Sequence, residues 1–232
     1  MVASGKADSC VLEGEIDYVV LAPVAPLYLL PAKMDGEDAL FLVKNGEGVV
    51  VGESLLTLGL RACPAADIVI KAAEGTLVAS GDSARSVYLE TVEDLRAAVA
   101  AIHAGIMAGC LEEATAYARE RYQGWKQIID HGVIRAYLGR IAAAAAVAEE
   151  LFRVAAGNGS ARAGEPLPAA VQLTVGEMAV ESTTNGVQVL GGNGYMNDYG
   201  QAKRMRDAKQ ARGIFGPKDL LIQDIFQATA SR

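Results

Sequence analysis

The chain has 232 residues, 51% of them hydrophobic and 21% charged, with a formal net charge of −7 and a mean hydropathy of +0.21. That balance supplies a packed core and excludes a disordered chain. The acidic charge argues against nucleic acid as the main partner, because phosphate neutralisation needs the opposite sign.

From Cys10 to Leu77 the sequence reads as short strands separated by turns. The β-rich stretches are Val11-Leu12, Tyr18 to Leu21, Leu27 to Leu30, Leu40 to Val43, Val49 to Val51 and Ile68 to Ile70. Glu13-Gly14-Glu15, Asp35-Gly36 and Asn45-Gly46 are turn chemistries, the last two being the clearest hairpin signals. Pro23, Pro26 and Pro31 place their stretch at an edge or in a loop. The elements predict a small antiparallel sheet or partial barrel.

The segment 78–86 reads as the junction, and from Ser86 the period becomes helical. Val92, Leu95, Val99, Ile102 and Ile106 recur at spacings of three and four, predicting an amphipathic helix to about Arg121. A second helix is expected over Gln127 to Ala156, stopping at Gly157-Asn158-Gly159. A third is opened by Gly164-Glu-Pro-Leu-Pro168 and runs from Ala169 to Leu190. A basic fourth spans Gly200 to Arg212, and a short fifth follows Gly216-Pro217. The fold class is α+β: a sheet module over 1–84, then an up-and-down four-helix bundle over 85–232.

Cys10, Cys63 and Cys110 are far apart and lack a Cys-x-x-Cys pair, so neither a disulfide framework nor a zinc site is expected. With only His103 and His131 beside them, no metal is expected, and both histidines read as packing or hydrogen-bonding residues. The N-terminal residues show no signal-peptide pattern. The longest apolar run, Val19 to Ala32, is broken by prolines and is shorter than the ~20 residues of a spanning helix. These features predict a cytoplasmic protein without a membrane span.

The most informative stretch is Gln188-Val-Leu-Gly191-Gly192-Asn193-Gly194-Tyr195, followed by Met205-Arg206-Asp207-Ala208-Lys209. Three glycines in four residues at a helix end let backbone approach a ligand, and their amides could form an anion nest. The same residues also suit a plain helix cap followed by a solvated basic face. No strand precedes them and the glycine spacing is not that of a Rossmann fingerprint.

These segments resemble the C-terminal half of the flavin-dependent acyl-CoA dehydrogenases. The resemblance rests on Gln188 to Tyr195, Asp198-Tyr199 and Met205 to Lys209. It extends to Arg61-Ala62-Cys63-Pro64 with Asp67, to Arg121-Tyr-Gln-Gly-Trp125-Lys126, and to Val11-Leu12-Glu13-Gly14-Glu15, so it covers nearly the whole chain in order. It implies a β-domain followed by an oligomerising helical bundle, with FAD between subunits. It further implies that Arg121 reaches the FAD pyrophosphate of a neighbouring subunit, while Gln188, Gly191 and Gly192 hold FAD from the helix end. Trp125 stands one place from the family's Phe, and Tyr18 at the place of its flavin-side Trp. An acyl-CoA substrate, a homo- or hetero-oligomer with a subunit of the same type, and electron-transfer flavoprotein as a redox partner are also implied.

The departures concern chemistry. The family reaction needs a carboxylate to take a Cα proton from the thioester while the flavin takes hydride. The usual Glu position is here Phe215. The alternative family position, counted back from Arg121, falls on Leu95, with Asp94 beside it and Glu93 and Glu90 close by; Asp94 is the candidate base, against a plain acidic first turn. The family's N-terminal helical domain, which supplies much of the acyl pocket, is missing. Four readings stay open: a FAD-dependent subunit completed by a partner chain, a non-catalytic structural or regulatory subunit, a self-sufficient homo-oligomeric enzyme using Asp94, and a helical interaction module.

Overall fold

The change of hydrophobic period near Ser86 is also a change of architecture in the computed structural model, which describes residues 1–6, 9–157 and 166–230. Two units result, Met1–Thr91 and Val92–Arg232, and the division falls inside one long helix.

The first unit carries β1 (Val2–Lys6), β2 (Ser9–Val20), β3 (Leu27–Met34), β4 (Glu37–Lys44), β5 (Val49–Val51) and β6 (Ala65–Ser80). They pair in the order β2-β1-β3-β4-β6-β5, and β2 pairs again with β6, so the sheet curls into a partial barrel. Every ladder is antiparallel except a short parallel contact of β1 with β3, at Val2–Lys33 and Ala3–Met34. With the period of two, Tyr28, Leu30 and Ala32 turn inward and meet Leu12, Phe41, Val43 and Ile68. Each large apolar side chain fully buried in this way contributes about 1.5–3 kcal/mol. Asp35 (φ 52°) and Gly36 (φ 88°) form the two-residue turn between β3 and β4, as their sequence predicts. Pro31 pairs with Leu40 on β4, while the β1 neighbour of β3 begins only at Lys33, so the missing N–H of the proline disrupts no ladder.

Other local readings are corrected. Val11-Leu12 and Tyr18 to Leu21 do not form separate strands; β2 runs through Glu13-Gly14-Glu15. Gly14 (φ 143°) is a glycine for close approach, since a Cβ there would lie 2.9 Å from Met1 Cα. The junction expected over 78–86 shrinks to Gly81, because β6 continues to Ser80 and the helix starts at Asp82. Asn45-Gly46 closes no hairpin: β5 pairs with β6 instead of β4. Asn45 ties the connection down by donating its N–H to the Pro26 carbonyl and Nδ2 to that of Ala25, each at 3.0 Å.

The helices are α1 (Asp82–Glu120), α2 (Gly132–Gly157), α3 (Leu167–Leu190), α4 (Gln201–Ala211) and α5 (Lys218–Ala230). At 39 residues, α1 is about 58 Å long. Its length and composition alone would also allow a membrane crossing. Here, however, Ala100 and Met107 are buried with Val171, Val175 and Ala179 of α3 and Ala208 of α4. The α1 stripe read from the sequence is half wrong. Val92 and Val99 are buried, but Leu95 (42%) and Ile102 (43%) are exposed. The buried seam is built instead mostly from small and polar residues, Arg96, Ala100, His103, Cys110 and Ala114, with Met107 among them. The second helix starts at Gly132 and not Gln127, because a hairpin and a 3₁₀ turn (Ile128–Asp130) come first. Its expected glycine stop beyond Gly157, and the segment 164–165 expected to open the third helix, lie outside the described residues.

Candidate functional site

Three elements of the second unit converge on one cavity: the C-terminal end of α1, the hairpin after it, and the C-terminal end of α3. Arg121 follows the last residue of α1, and its carbonyl accepts the Ile128 N–H at 2.8 Å, which closes the intervening loop. That loop is a two-residue hairpin between β7 (Tyr122–Gln123) and β8 (Lys126–Gln127). Gly124 (φ 63°) and Trp125 (φ 66°) both take left-handed backbone there, the geometry of a type I′ turn. The Nε2–H of His131 donates to the Gln123 carbonyl at 3.0 Å and packs where a Cβ on Gly124 would sit.

On the other side, α3 ends at Gly191 (φ 58°), whose N–H donates to the Gln188 carbonyl. A 3₁₀ turn over Gly191–Tyr195 follows. The glycines of this turn have different reasons to be glycine. A Cβ on Gly194 would lie 2.2 Å from the Val187 carbonyl oxygen, so this residue exists for backbone packing. A Cβ on Gly191 or Gly192 would meet nothing within 4 Å. The space in front of those two belongs to a cavity of about 580 Å³.

Arg121, Gln188, Gly191 and Gly192 all line that cavity, so the structure brings together four of the residues singled out from the sequence. Its opposite wall is apolar, formed by Ile128, Val133 and Ile134. No carboxylate among the described residues pairs with the Arg121 guanidinium. Two helix C-termini, each carrying partial negative charge, point here, and an anion would be repelled without that cation. The anion nest expected at the glycines is narrower than its sequence suggested. Gly191 spends its N–H on Gln188, so any amide donor at the turn is Gly192 or a later residue.

Trp125 does not line the cavity. It stands at the hairpin tip, 93% exposed. Tyr117 and Asn193, which sequence reading passed over, line the cavity as well; Asn193 Nδ2 donates to the Tyr117 hydroxyl at 3.0 Å. The available signal was spacing. Glu113, Tyr117 and Arg121 fall four residues apart on one helix face, and Glu113 accepts both the Gly200 N–H (2.8 Å) and Arg204 Nη1 (2.6 Å). One stripe of α1, continued past its end by the Arg121 N–H bonded to the Tyr117 carbonyl, thus holds the start of α4, touches the glycine turn and leads to the unpaired cation.

The carboxylate question lies elsewhere on α1. Asp94 is exposed and 27 residues before Arg121, which at 1.5 Å per residue puts it about 40 Å away along the helix. The two residues therefore serve different places on one chain. Glu93 is the half-buried neighbour: it faces Arg96 at 3.6 Å, and burial, only partly offset by Arg96, raises its proton affinity. Arg96 also donates Nη2 to Asp224 at 2.9 Å. Phe215 occupies left-handed backbone (φ 60°) ahead of Gly216 (φ 122°), in a loop whose Ile214 carbonyl accepts Gln172 Nε2 at 2.7 Å. A phenyl ring there offers no proton acceptor. In the first unit, Tyr18 sits at an irregularity of β2 with φ 57°. Its N–H donates to Asp67 at 2.7 Å, and its side chain is 45% exposed. Among the described residues no group of three or more His, Cys, Asp or Glu could hold a metal ion.

One unit is thus a partial β-barrel, and the other is helical, with a glycine turn and an arginine sharing one cavity. The family described as acyl-CoA dehydrogenase, C-terminal domain, matches residues 85–229, and the chain belongs to the acyl-CoA dehydrogenase family. Cyclohexane-1-carbonyl-CoA dehydrogenase of Syntrophus aciditrophicus is 26% identical over 209 residues, covering 86% of this chain and 54% of that protein. The caffeyl-CoA reductase-Etf complex subunit CarC of Acetobacterium woodii is 26% identical over 217 residues, 89% of this chain and 57% of its own length. The chain therefore spans little more than half of the curated relatives it matches. Butyryl-CoA dehydrogenase from Megasphaera elsdenii has the same fold, with a TM-score of 0.89 at 22% identity over 99% of this chain and 63% of that one.

Proposed function

We propose that this chain is a FAD-holding subunit of an acyl-CoA dehydrogenase, completed by a partner chain that supplies the thioester cleft and the proton acceptor. The observation that carries the reading is the unpaired Arg121 guanidinium in one cavity with Gly191 and Gly192, whose missing Cβ atoms leave open space. A diphosphate needs a cation together with backbone and side-chain donors, and Arg121, Gly192 and Gln188 provide them. The apolar wall of Ile128, Val133 and Ile134 suits the flat ring that accompanies the diphosphate. When bound, FAD supplies the hydride acceptor for α,β-dehydrogenation of the acyl-CoA. Arg121 and Gln188 orient the cofactor. Trp125, displaced on its hairpin and 93% exposed, is an aromatic side chain offered to a neighbouring molecule. Electron-transfer flavoprotein is the proposed acceptor, and the cytoplasm the proposed compartment.

Phe215 favours a second reading, in which the chain is a non-catalytic structural or regulatory subunit of such a complex. The test is to purify the chain alone and co-expressed with its genomic neighbour. FAD and ADP binding are titrated by calorimetry, and bound flavin is read from the visible spectrum. Binding of ADP that is lost in Arg121→Ala supports the first reading; a complex with no flavin and no affinity for ADP refutes it. Turnover that survives Asp94→Asn removes Asp94 as the base, and absence of turnover in a flavin-loaded complex selects the second reading.

A further inference from the structure

Tyr117 stands one helical turn before Arg121, half-buried, and lines the cavity in front of the glycine turn. It also lines a neighbouring cavity of about 400 Å³, together with Arg121, Asn193 and Tyr199. Its ring is fixed from one side by Tyr199, edge to face with centroids 5.7 Å apart. A phenol has one proton to give and two lone pairs to fill. Asn193 Nδ2 fills one lone pair at 3.0 Å. No acceptor among the described residues takes the proton. A side chain held by a T-shaped contact and an amide donor, with its own O–H left over, is set up to donate into the cavity it lines. Arg121 lies on the same helix face, four residues on, so the two groups converge on the same space.

We propose that Tyr117 is a further binding residue of this site, donating its hydroxyl proton to a diphosphate oxygen, with Asn193 as the positioning residue that orients the hydroxyl. The proposal rests on the flavin-nucleotide reading and adds a neutral donor to its cation. Two acceptor-only phosphate groups would otherwise have to be met by Arg121 and whatever amides remain after Gly191 is spent on Gln188. Asn193 then has a reason to be an amide. Its NH₂ occupies the phenol oxygen from the turn side, and the hydroxyl hydrogen is left to the cavity side. A carboxylate at position 193 would instead draw the hydrogen toward itself.

The full chain, with its partner if one co-purifies, is titrated calorimetrically with ADP and FAD and melted without ligand. Tyr117→Phe keeps the ring and its contact with Tyr199. It is expected to weaken ADP and FAD binding about ten-fold, the loss of one hydrogen bond to a charged group, while the unliganded melting temperature stays put. Asn193→Ala should weaken binding less, and Asn193→Ala combined with Tyr117→Phe should bind no worse than Tyr117→Phe alone, because Asn193 acts through the hydroxyl. Tyr117→Phe binding both ligands as the parent does overturns the proposal and leaves the flavin reading standing. Additive losses, or losses that track a fallen melting temperature, also overturn it, since they mark a brace and not a donor. A parent chain that binds neither ADP nor FAD overturns both. Should Tyr117→Phe misfold, Asn193→Ala decides: unchanged ADP affinity overturns the proposal, and reduced affinity at an unchanged melting temperature supports it.

Discussion

Replacing Gly192 and Gly194 one at a time separates space kept for a ligand from space kept for the fold. On Gly194 a Cβ would lie 2.2 Å from the Val187 carbonyl oxygen and 2.9 Å from Val187 C and Cα, whereas ordinary contact begins at 3.4 Å. Relief requires the turn to move by more than 1 Å against helix backbone, which cannot rotate away as a side chain can. Overpacking of this kind costs about 1–3 kcal/mol, and for a unit of this size that lowers the melting temperature by roughly 2–12 °C. Gly192 meets nothing within 4 Å and has no left-handed backbone. Alanine there restricts the unfolded chain without strain and stabilises by about 0.4–1 kcal/mol. Its methyl group would stand in the cavity mouth, so the same variant should lose at least about ten-fold in ADP affinity, some 1.4 kcal/mol. Thermal unfolding by circular dichroism and calorimetric titration with ADP, run on the same preparations, read both effects. Gly192→Ala that binds ADP normally, or that melts as low as Gly194→Ala, refutes the division of roles.

Three further outcomes follow from burial and backbone geometry. His103 is fully buried and donates Nδ1–H to Val99 at 3.0 Å; burial lowers its pKa from 6.5, outweighing the Val99 and Ala208 carbonyls. The unfolded state therefore binds the proton first as pH falls. Stability should drop below about pH 6.5 with a slope of up to about 1.4 kcal/mol per pH unit, and His103→Leu should lack that component; a parallel pH dependence of the two proteins in urea melts would contradict it. Burial also pushes the Cys110 thiol up to about 12, so iodoacetamide should modify half-exposed Cys63 in the native protein and reach Cys110 only on unfolding, as mass spectrometry of the labelled peptides would show. Trp125→Gly removes a left-handed non-glycine conformation worth about 1 kcal/mol and a 93% exposed indole. In dilute protein its melting temperature should hold or rise, and a fall would mean the indole is packed within the chain.

How much of the fold was legible depends on how strongly each segment advertises its period. Asp35-Gly36 needs two left-handed residues in a row, a demand few sequences satisfy by accident, and it became the turn expected. The strand nature of Leu27 to Leu30 was read as well, but its continuation through Pro31 to Met34, with Tyr28, Leu30 and Ala32 inward, was not, because a proline there signals an edge or a loop. The long strands β2 and β6 were harder to see. Gly14 looked like a turn residue, but its freedom is used to let Met1 approach inside a continuous strand. In α1 the hydrophobic stripe misled because the core seam is lined by Ala100, Ala114, His103 and Arg96 while Leu95 and Ile102 face outward. Close helix packing selects for small volume, and a hydrophobicity pattern does not register it.

The site was legible to the degree that a glycine betrays its purpose. Three glycines in four residues announced a close approach, yet from sequence alone Gly194 and Gly192 are indistinguishable. Only the position of Val187 assigns one to packing and the other to open space. Arg121 was visible as a motif residue, but its significance lies in its setting: a guanidinium beside the C-terminal ends of α1 and α3, with no carboxylate among the described residues taken up against it. Arg204 takes up Glu113 and Arg135 takes up Asp130, whereas exposed Arg121 has no carboxylate partner among the described residues. Leaving it unpaired beside a turn that keeps two Cβ positions empty makes physical sense if the missing countercharge arrives with a ligand. Tyr117 escaped notice because a half-buried tyrosine in a helix is ordinary until Asn193 is seen to occupy its oxygen and leave its proton over.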